Sequence, residues 1–274
     1  MAIFNSVVTN TSAFVALRNF SNITRDLNTT QNRVSTGLRV ASAIDDSSNF
    51  AIAQGIRTEL KAITAVSQGL NNTKGVGKVA LAGATGVSNL LGDIRAKLTE
   101  MGNSGVTTAQ RAILTSDFND LMSQAGNFIL NASFNNINML TDSAANVNTL
   151  ANLSNGTLQL GLQDLQTTAE SLAGATITTA GNNQTVITTE FASLETAVNT
   201  ALGGLGADVR ALELQTDFLT NISDATEEGL GNIVDADMAR ESARLTALQV
   251  QQQLSVQTLG IVNQSPQTLL GLFR

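Results

Sequence analysis

Apolar residues recur every seven positions between Ile52 and Met101. One heptad position reads Ile56, Ile63, Leu70, Gly77, Ala84, Leu91 and Leu98. Its companion reads Ile52, Glu59, Val66, Thr73, Ala80, Val87, Ile94 and Met101. A seven-residue repeat held this long predicts a coiled-coil-like seam. As one helix it would run about 75 Å, at 1.5 Å per residue. Gly77, Ala80 and Ala84 mark where a neighbouring helix can come closest. Gly75, Gly77, Gly83 and Gly86 lower helix propensity in the same stretch, so a kink is allowed for there.

The same pattern organises the rest of the chain. Phe20, Leu27 and Val34 repeat at seven, with Ile23 and Leu38 beside them, which predicts a first amphipathic helix. "STGLRVASAIDDSSNF" breaks it and starts a new helix near Asp45. A shorter helix fits Thr108 to Phe128, and "SFNNINMLTD" reads as extended. From about Thr141 to Thr189 the helical period is lost among Thr, Asn and Gly. There Asn155-Gly156 sits between short apolar runs, and Leu158, Leu160 and Leu162 alternate, a hairpin signal. Heptads resume at Phe191, Val198, Leu205, Leu212 and Leu219, and a last helix follows "ATEEGLGNIVDADMARE". The expected fold is mainly α: a long antiparallel coiled-coil-like helical rod with paired terminal helices and a small β-containing insertion. The expected parts are 1–42 with 233–274, 43–140 with 190–232, and the insertion 141–189.

Both ends are unusual. The first 17 residues carry no charge, and Leu245 to Phe273 carries none either, though seven glutamines lie in that tail. Leu245, Leu248, Val250, Leu254, Leu259, Ile261 and Val262 cover more than one helix face. Burying each is worth roughly 1.5–3 kcal/mol, so an uncovered tail forgoes on the order of 10 kcal/mol. The first helix covers one face; other copies of the same chain must cover the rest. The tail reads as a self-assembly element.

Composition narrows the chemistry. Among 274 residues there is no His, Cys, Trp or Tyr, and one Pro. Catalytic triads with His, Cys/His zinc sites and disulfides are therefore excluded. The net charge of -7 argues against nucleic acid. Charged residues make up 14%, against roughly 25% in an ordinary soluble chain. The N-terminal stretch lacks a basic region and an apolar run, so no signal peptide is expected, and no segment has the length for a membrane span. Asp45-Asp46 and Asp235/Asp237 read as helix-start acids pairing with Arg39 or Arg240, not as a carboxylate site. Arg240, Glu241 and Arg244 are expected in surface or intersubunit ion pairs. "GVGKVALAG" lacks the GK[ST] of a phosphate loop. The sequons at Asn22 and Asn131 are ordinary in so Asn-rich a chain. No catalytic, cofactor or metal site is expected.

Two segments resemble a known family, the bacterial flagellins. The first is "LNTTQNRVSTGLRVASAIDDSSNFAIA", and the second is "IVDADMARESARLTALQVQQQLSVQTLGIVNQSPQTLLGLFR". Asn263, Gln264, Pro266, Gln267, Leu270, Leu272 and Arg274 carry the second match, and "SFNNINML" is similar to the family's Phe-Asn segment. The resemblance is to a short form without large outer domains. It implies a structural subunit that polymerises into the flagellar filament, after unfolded passage through the flagellar type III export apparatus and without a cleaved signal peptide. The implied locale is outside the cell. Terminal helices would line an inner tube and the long helices an outer one. Implied partners are the chain itself, an export chaperone at the C-terminal helix, and the filament cap and hook-junction proteins. The self-assembly residues are Phe20, Leu27, Val34, Leu38, Arg39, Asp45, Asp46, Leu245, Leu248, Leu254, Leu259, Pro266, Leu270, Leu272 and Arg274. A hook–filament junction protein is the nearest alternative. O-glycosylation in 141–190 occurs in parts of the family. "LGDIRAKLTE", Leu91 to Glu100, departs from the family's immune-receptor epitope, with Gly92 and Asp93 in place of Gln and Arg, so weak recognition by the vertebrate innate receptor is expected.

Overall fold

A computed structural model of the chain describes residues 10–271, with side chains as far as Gln264. Seven α-helices are assigned in chain order among the described residues: α1 (Thr11–Thr36), α2 (Ser47–Met101), α3 (Thr108–Leu130), α4 (Gln166–Ala173), α5 (Ala180–Val186), α6 (Ala192–Val234) and α7 (Met238–Gly271). A π-helical turn, Ile187–Phe191, joins α5 to α6. Four short strands form two hairpins: β1 (Ser133–Phe134) with β2 (Ile137–Asn138), and β3 (Val147–Leu150) with β4 (Thr157–Leu160). The chain divides into two compact units, Met1–Glu59 with Ala225–Arg274, and Leu60–Asp224; α2 and α6 contribute residues to both.

The Leu60–Asp224 unit holds the main core. Every expected heptad residue of α2 from Ile63 to Met101 is buried, and Phe191, Val198, Leu205, Leu212 and Leu219 are buried on the α6 side. Ile52 and Glu59, earlier in the repeat, are exposed. The two helices run antiparallel here: Lys78 pairs with Glu213 at 2.8 Å, while Arg95 lies over the Phe191 ring at 5.9 Å. Helix α3 folds back along α2, with Lys97 to Asp117 at 3.2 Å near one end. Near the other end, Gly86 abuts the Phe128 ring. A capping box starts α3: Thr107 accepts from the Gln110 backbone, and the Gln110 side chain accepts from Thr107.

The glycines expected to allow a kink serve another purpose. Helix α2 is continuous over 55 residues, about 80 Å at 1.5 Å per residue. A Cβ at Gly83 would lie 2.6 Å from Ala132 Cβ, and one at Gly77 2.7 Å from Val209 Cγ2. These positions are small because the connection after α3 and the face of α6 press directly on the α2 backbone.

The central stretch contains more helix than its composition suggests. The β3–β4 hairpin is present, with Val147 opposite Leu160 and Leu150 opposite Thr157. Its loop spans residues 151–156, and Asn155 takes a left-handed conformation (φ 62°). Helices α4 and α5 follow within the same stretch, where the helical period had been read as lost. They are only 8 and 7 residues long, too short to show a repeat. "SFNNINML" is a tight hairpin, not simply extended: Asn135 and Asn136 both have positive φ (49° and 64°), as a two-residue type I′ turn requires.

Candidate functional site

The terminal unit is built around α1 and α7. Asn10 opens α1 by accepting from Ala13 N–H at 3.0 Å, and its amide donates to the Val262 carbonyl of α7 at 3.0 Å. At the other end of α1, Arg33 Nη1 meets Glu241 Oε1 at 3.3 Å. These two anchors fix α1 and α7 as an antiparallel pair. Glu241 therefore makes its ion pair inside the chain, where a surface or intersubunit pair was expected. Thr30 and Leu248 are buried within this unit.

The turn out of α1 explains the Gly-Leu-Arg and Asp-Asp residues. Gly37 closes α1 in the left-handed region (φ 72°), donating to the Arg33 carbonyl. The chain then pairs briefly with the segment between α6 and α7: Leu38 bridges Asp235, and Arg39 and Val40 N–H both donate to the Val234 carbonyl. Arg39 Nη2 donates to the Ile233 carbonyl at 2.6 Å, so its partner is backbone and not the acidic pair. Val40, Ala53 and Val234 form the small core beneath.

Each acid has a local task. Asp46 caps α2, accepting from Asn49 N–H at 3.0 Å and from the Asn49 side chain at 2.7 Å. The Asn49 backbone bond, with the side-chain bond behind it, holds the Asp46 carboxyl below its ordinary value. Asp45 does not cap the helix. It braces the preceding turn, accepting from Ser42 Oγ, Ser42 N–H and Ala41 N–H, and the Ser42 hydroxyl is the main cause lowering its pKa. Asp237 caps α7 through Ala239 and Arg240 N–H, as expected of an acid at a helix start.

The remaining expected residues divide by burial. Phe20, Leu27 and Val34 on α1 and Leu245 and Leu259 on α7 are half-buried, and Leu248 is buried. Leu254 is not covered by α1: it is 55% exposed. Around it Val250, Val256 and Ile261 are 50%, 55% and 71% exposed, and Phe14, Val15 and Leu17 on α1 are at least half exposed. Pro266 and Leu270 fall in the backbone span of α7; Leu272 and Arg274 lie outside the described residues. Sequence reasoning missed Asn10, Arg33 and Glu241 as the ties between the terminal helices. No described helix is long and apolar enough to cross a membrane.

The fold is thus mainly α-helical, with terminal helices that pair antiparallel and keep apolar side chains exposed on both members. Residues 7–145 match the family model "Bacterial flagellin N-terminal helical region", and residues 188–273 match "Bacterial flagellin C-terminal helical region". Flagellin FljK of Caulobacter vibrioides is 35% identical, over 98% of this chain and 99% of its own. The chain belongs to the flagellin family, the self-polymerising structural subunits of the bacterial flagellar filament used for swimming. A flagellin of Brucella melitensis is 33% identical, over 98% of this chain and 99% of its own. In fold, the chain is similar to the crystal structure of Bacillus cereus flagellin, with a TM-score of 0.51 at 16% identity, covering 58% of this chain and 94% of that one.

Proposed function

We propose that copies of this chain meet through the uncovered faces of α1 and α7, and that the role of the protein is this assembly and not catalysis. The observation that carries the reading is the exposure of Val250, Leu254, Val256 and Ile261 along the part of α7 from Leu245 onward, which carries no charged residue. Isolated apolar residues on a surface are ordinary, but a long charge-free helical stretch with apolar side chains on several faces is a surface awaiting a partner. Residues 1–42 and 233–274 form the inner tube, with Phe20, Leu27, Val34, Leu248, Leu254, Leu259, Pro266, Leu270, Leu272 and Arg274 in the contacts. Leu38, Arg39, Asp45 and Asp46 set the turn that carries them. Residues 43–140 and 190–232 form the outer tube.

The chain reaches this destination by export in an unfolded state. An export chaperone shields the C-terminal helix until then, and growth occurs between hook-junction and cap proteins. The charge-free stretch of α7, with exposed Val250, Leu254, Val256 and Ile261, offers apolar side chains for such a chaperone groove. On α2, exposed Gly92 and Asp93 weaken recognition by the innate immune receptor; a reporter assay giving the full potency of a strong agonist flagellin would count against this.

Because the chain has no cysteine, one introduced thiol reports cleanly on contact. Val250→Cys is expected to label readily in the monomer and to be protected in the polymer. Equal labelling in both states would remove α7 from the contacts.

A further inference from the structure

The tip of the β3–β4 hairpin carries chemistry that assembly does not use. Asn155-Gly156 is the only Asn-Gly pair in the chain. Glycine leaves its backbone nitrogen unshielded, so that nitrogen can attack the preceding Asn side-chain carbonyl carbon. A five-membered imide forms and ammonia leaves with the proton. Water then opens the ring at either carbonyl, giving Asp or isoaspartate. One water is consumed, one ammonia is released, and nothing is oxidised or reduced.

The fold controls access to that reaction. Asn155 is exposed, with a φ of 62°. The attacking atom is not free: Gly156 N–H donates to Asn152 Oδ1 at 2.8 Å. The same oxygen accepts from Ser154 N–H at 2.9 Å. A Cβ at Gly156 would press on the Asn152 amide and displace it from this clamp. The Gly156 carbonyl accepts from Ala151 N–H at 2.7 Å, and the Ala151 carbonyl is held in turn by Gln215 of α6 at 2.6 Å. We propose that Asn155 is a site of spontaneous intramolecular deamidation, with water as the co-reactant, and that Asn152 gates it by holding the Gly156 nitrogen. Reaction proceeds through local opening of the loop, a low-energy event for an exposed tip. Ser143 to Gln163 contains no charged residue, so the product carboxylate is the first charge on the hairpin, and the isoaspartate form adds a backbone carbon to its loop.

The test is peptide mapping of the full-length chain after mildly alkaline incubation, with isoaspartate resolved by fragmentation. Asn152→Ala is expected to deamidate at residue 155 about tenfold faster than the native protein, the factor for losing hydrogen bonds of ordinary net strength. Asn152→Asp keeps the acceptor and is expected to stay slow. In denaturant the native and Asn152→Ala chains should react equally fast. Equal rates for the two folded proteins would overturn the gate, and no reaction in the denatured chain would overturn the site. Hydrogen exchange at the Gly156 amide needs no variant: protection is expected, and exchange at the rate of a free loop would refute the clamp.

Discussion

The Leu60–Asp224 unit satisfies itself; the terminal unit does not. In the first, α2 and α6 contribute facing heptads and α3 adds Phe118, and large side chains such as Ile94, Leu98, Phe118 and Phe191 are almost wholly buried. In the second, the fully buried apolar residues are few, Val40, Ala53, Val234 and Leu248, and many apolar side chains of α1 and α7 remain in water. One repeat grammar writes both, yet it stores its stabilisation in different places. Burial inside a chain makes a fold, whereas burial deferred until copies meet makes a polymer.

Substitutions separate the two. Leu254→Arg places a charge in the exposed α7 surface and should abolish polymerisation, measured by sedimentation, while the monomer's stability changes by about 0.5 kcal/mol or less. Phe118→Ala should do the reverse. It removes a fully buried ring at a cost of about 3–5 kcal/mol, lowering the melting temperature by about 10 °C or more. A melting temperature unchanged by Phe118→Ala would break the distinction from the other side.

Glycines sharpen it within one helix. Gly83→Ala forces a methyl against Ala132, Leu140 and the Phe128 carbonyl, and is expected to cost about 1–3 kcal/mol. Gly92→Ala meets nothing within 4 Å and should stabilise α2 by about 0.5–1 kcal/mol. Chemical denaturation of the two variants gives opposite signs if close approach, and not flexibility, explains the glycines.

The smallest effect is on pH. Hydrogen bonds to the Asp45 and Asp46 carboxylates lower both folded-state pKa values. Their contribution is therefore fully present above the ordinary carboxylate range and is lost as pH falls through the folded values. Asp46→Asn retains a capping oxygen but removes the titration. Its denaturation midpoint should fall less between neutral pH and acid than that of the native chain. Parallel curves would show that Asp46 is not part of the acid response.

Much of the α-helical frame was legible because a heptad is a long-range statement made by local spacing: Ile63 through Met101 and Phe191 through Leu219 face the core as read. Short elements gave too few periods, which is why α4 and α5 were invisible among Thr and Asn. The Asn135–Asn136 turn had a signal, two residues tolerant of positive φ between short apolar segments, and it went unread. The close packing at Gly83 depends on Ala132 and Leu140, which no local spacing connects to it. Arg33 and Glu241 are 208 positions apart, so charge alone could not pair them. The candidate surface was legible as an uncharged tail, but its exposed members emerged only once α1 had taken its own side of α7.

In the filament, other copies of the chain are expected to complete the tail of α7. Electron microscopy of the seeded full-length protein, beside a version ending at Glu241, tests it most directly. The full chain is expected to form a hollow filament and the shortened one none, while the Leu60–Asp224 unit of the shortened chain should remain folded by circular dichroism. Filaments of equal length and order from the shortened chain would contradict it.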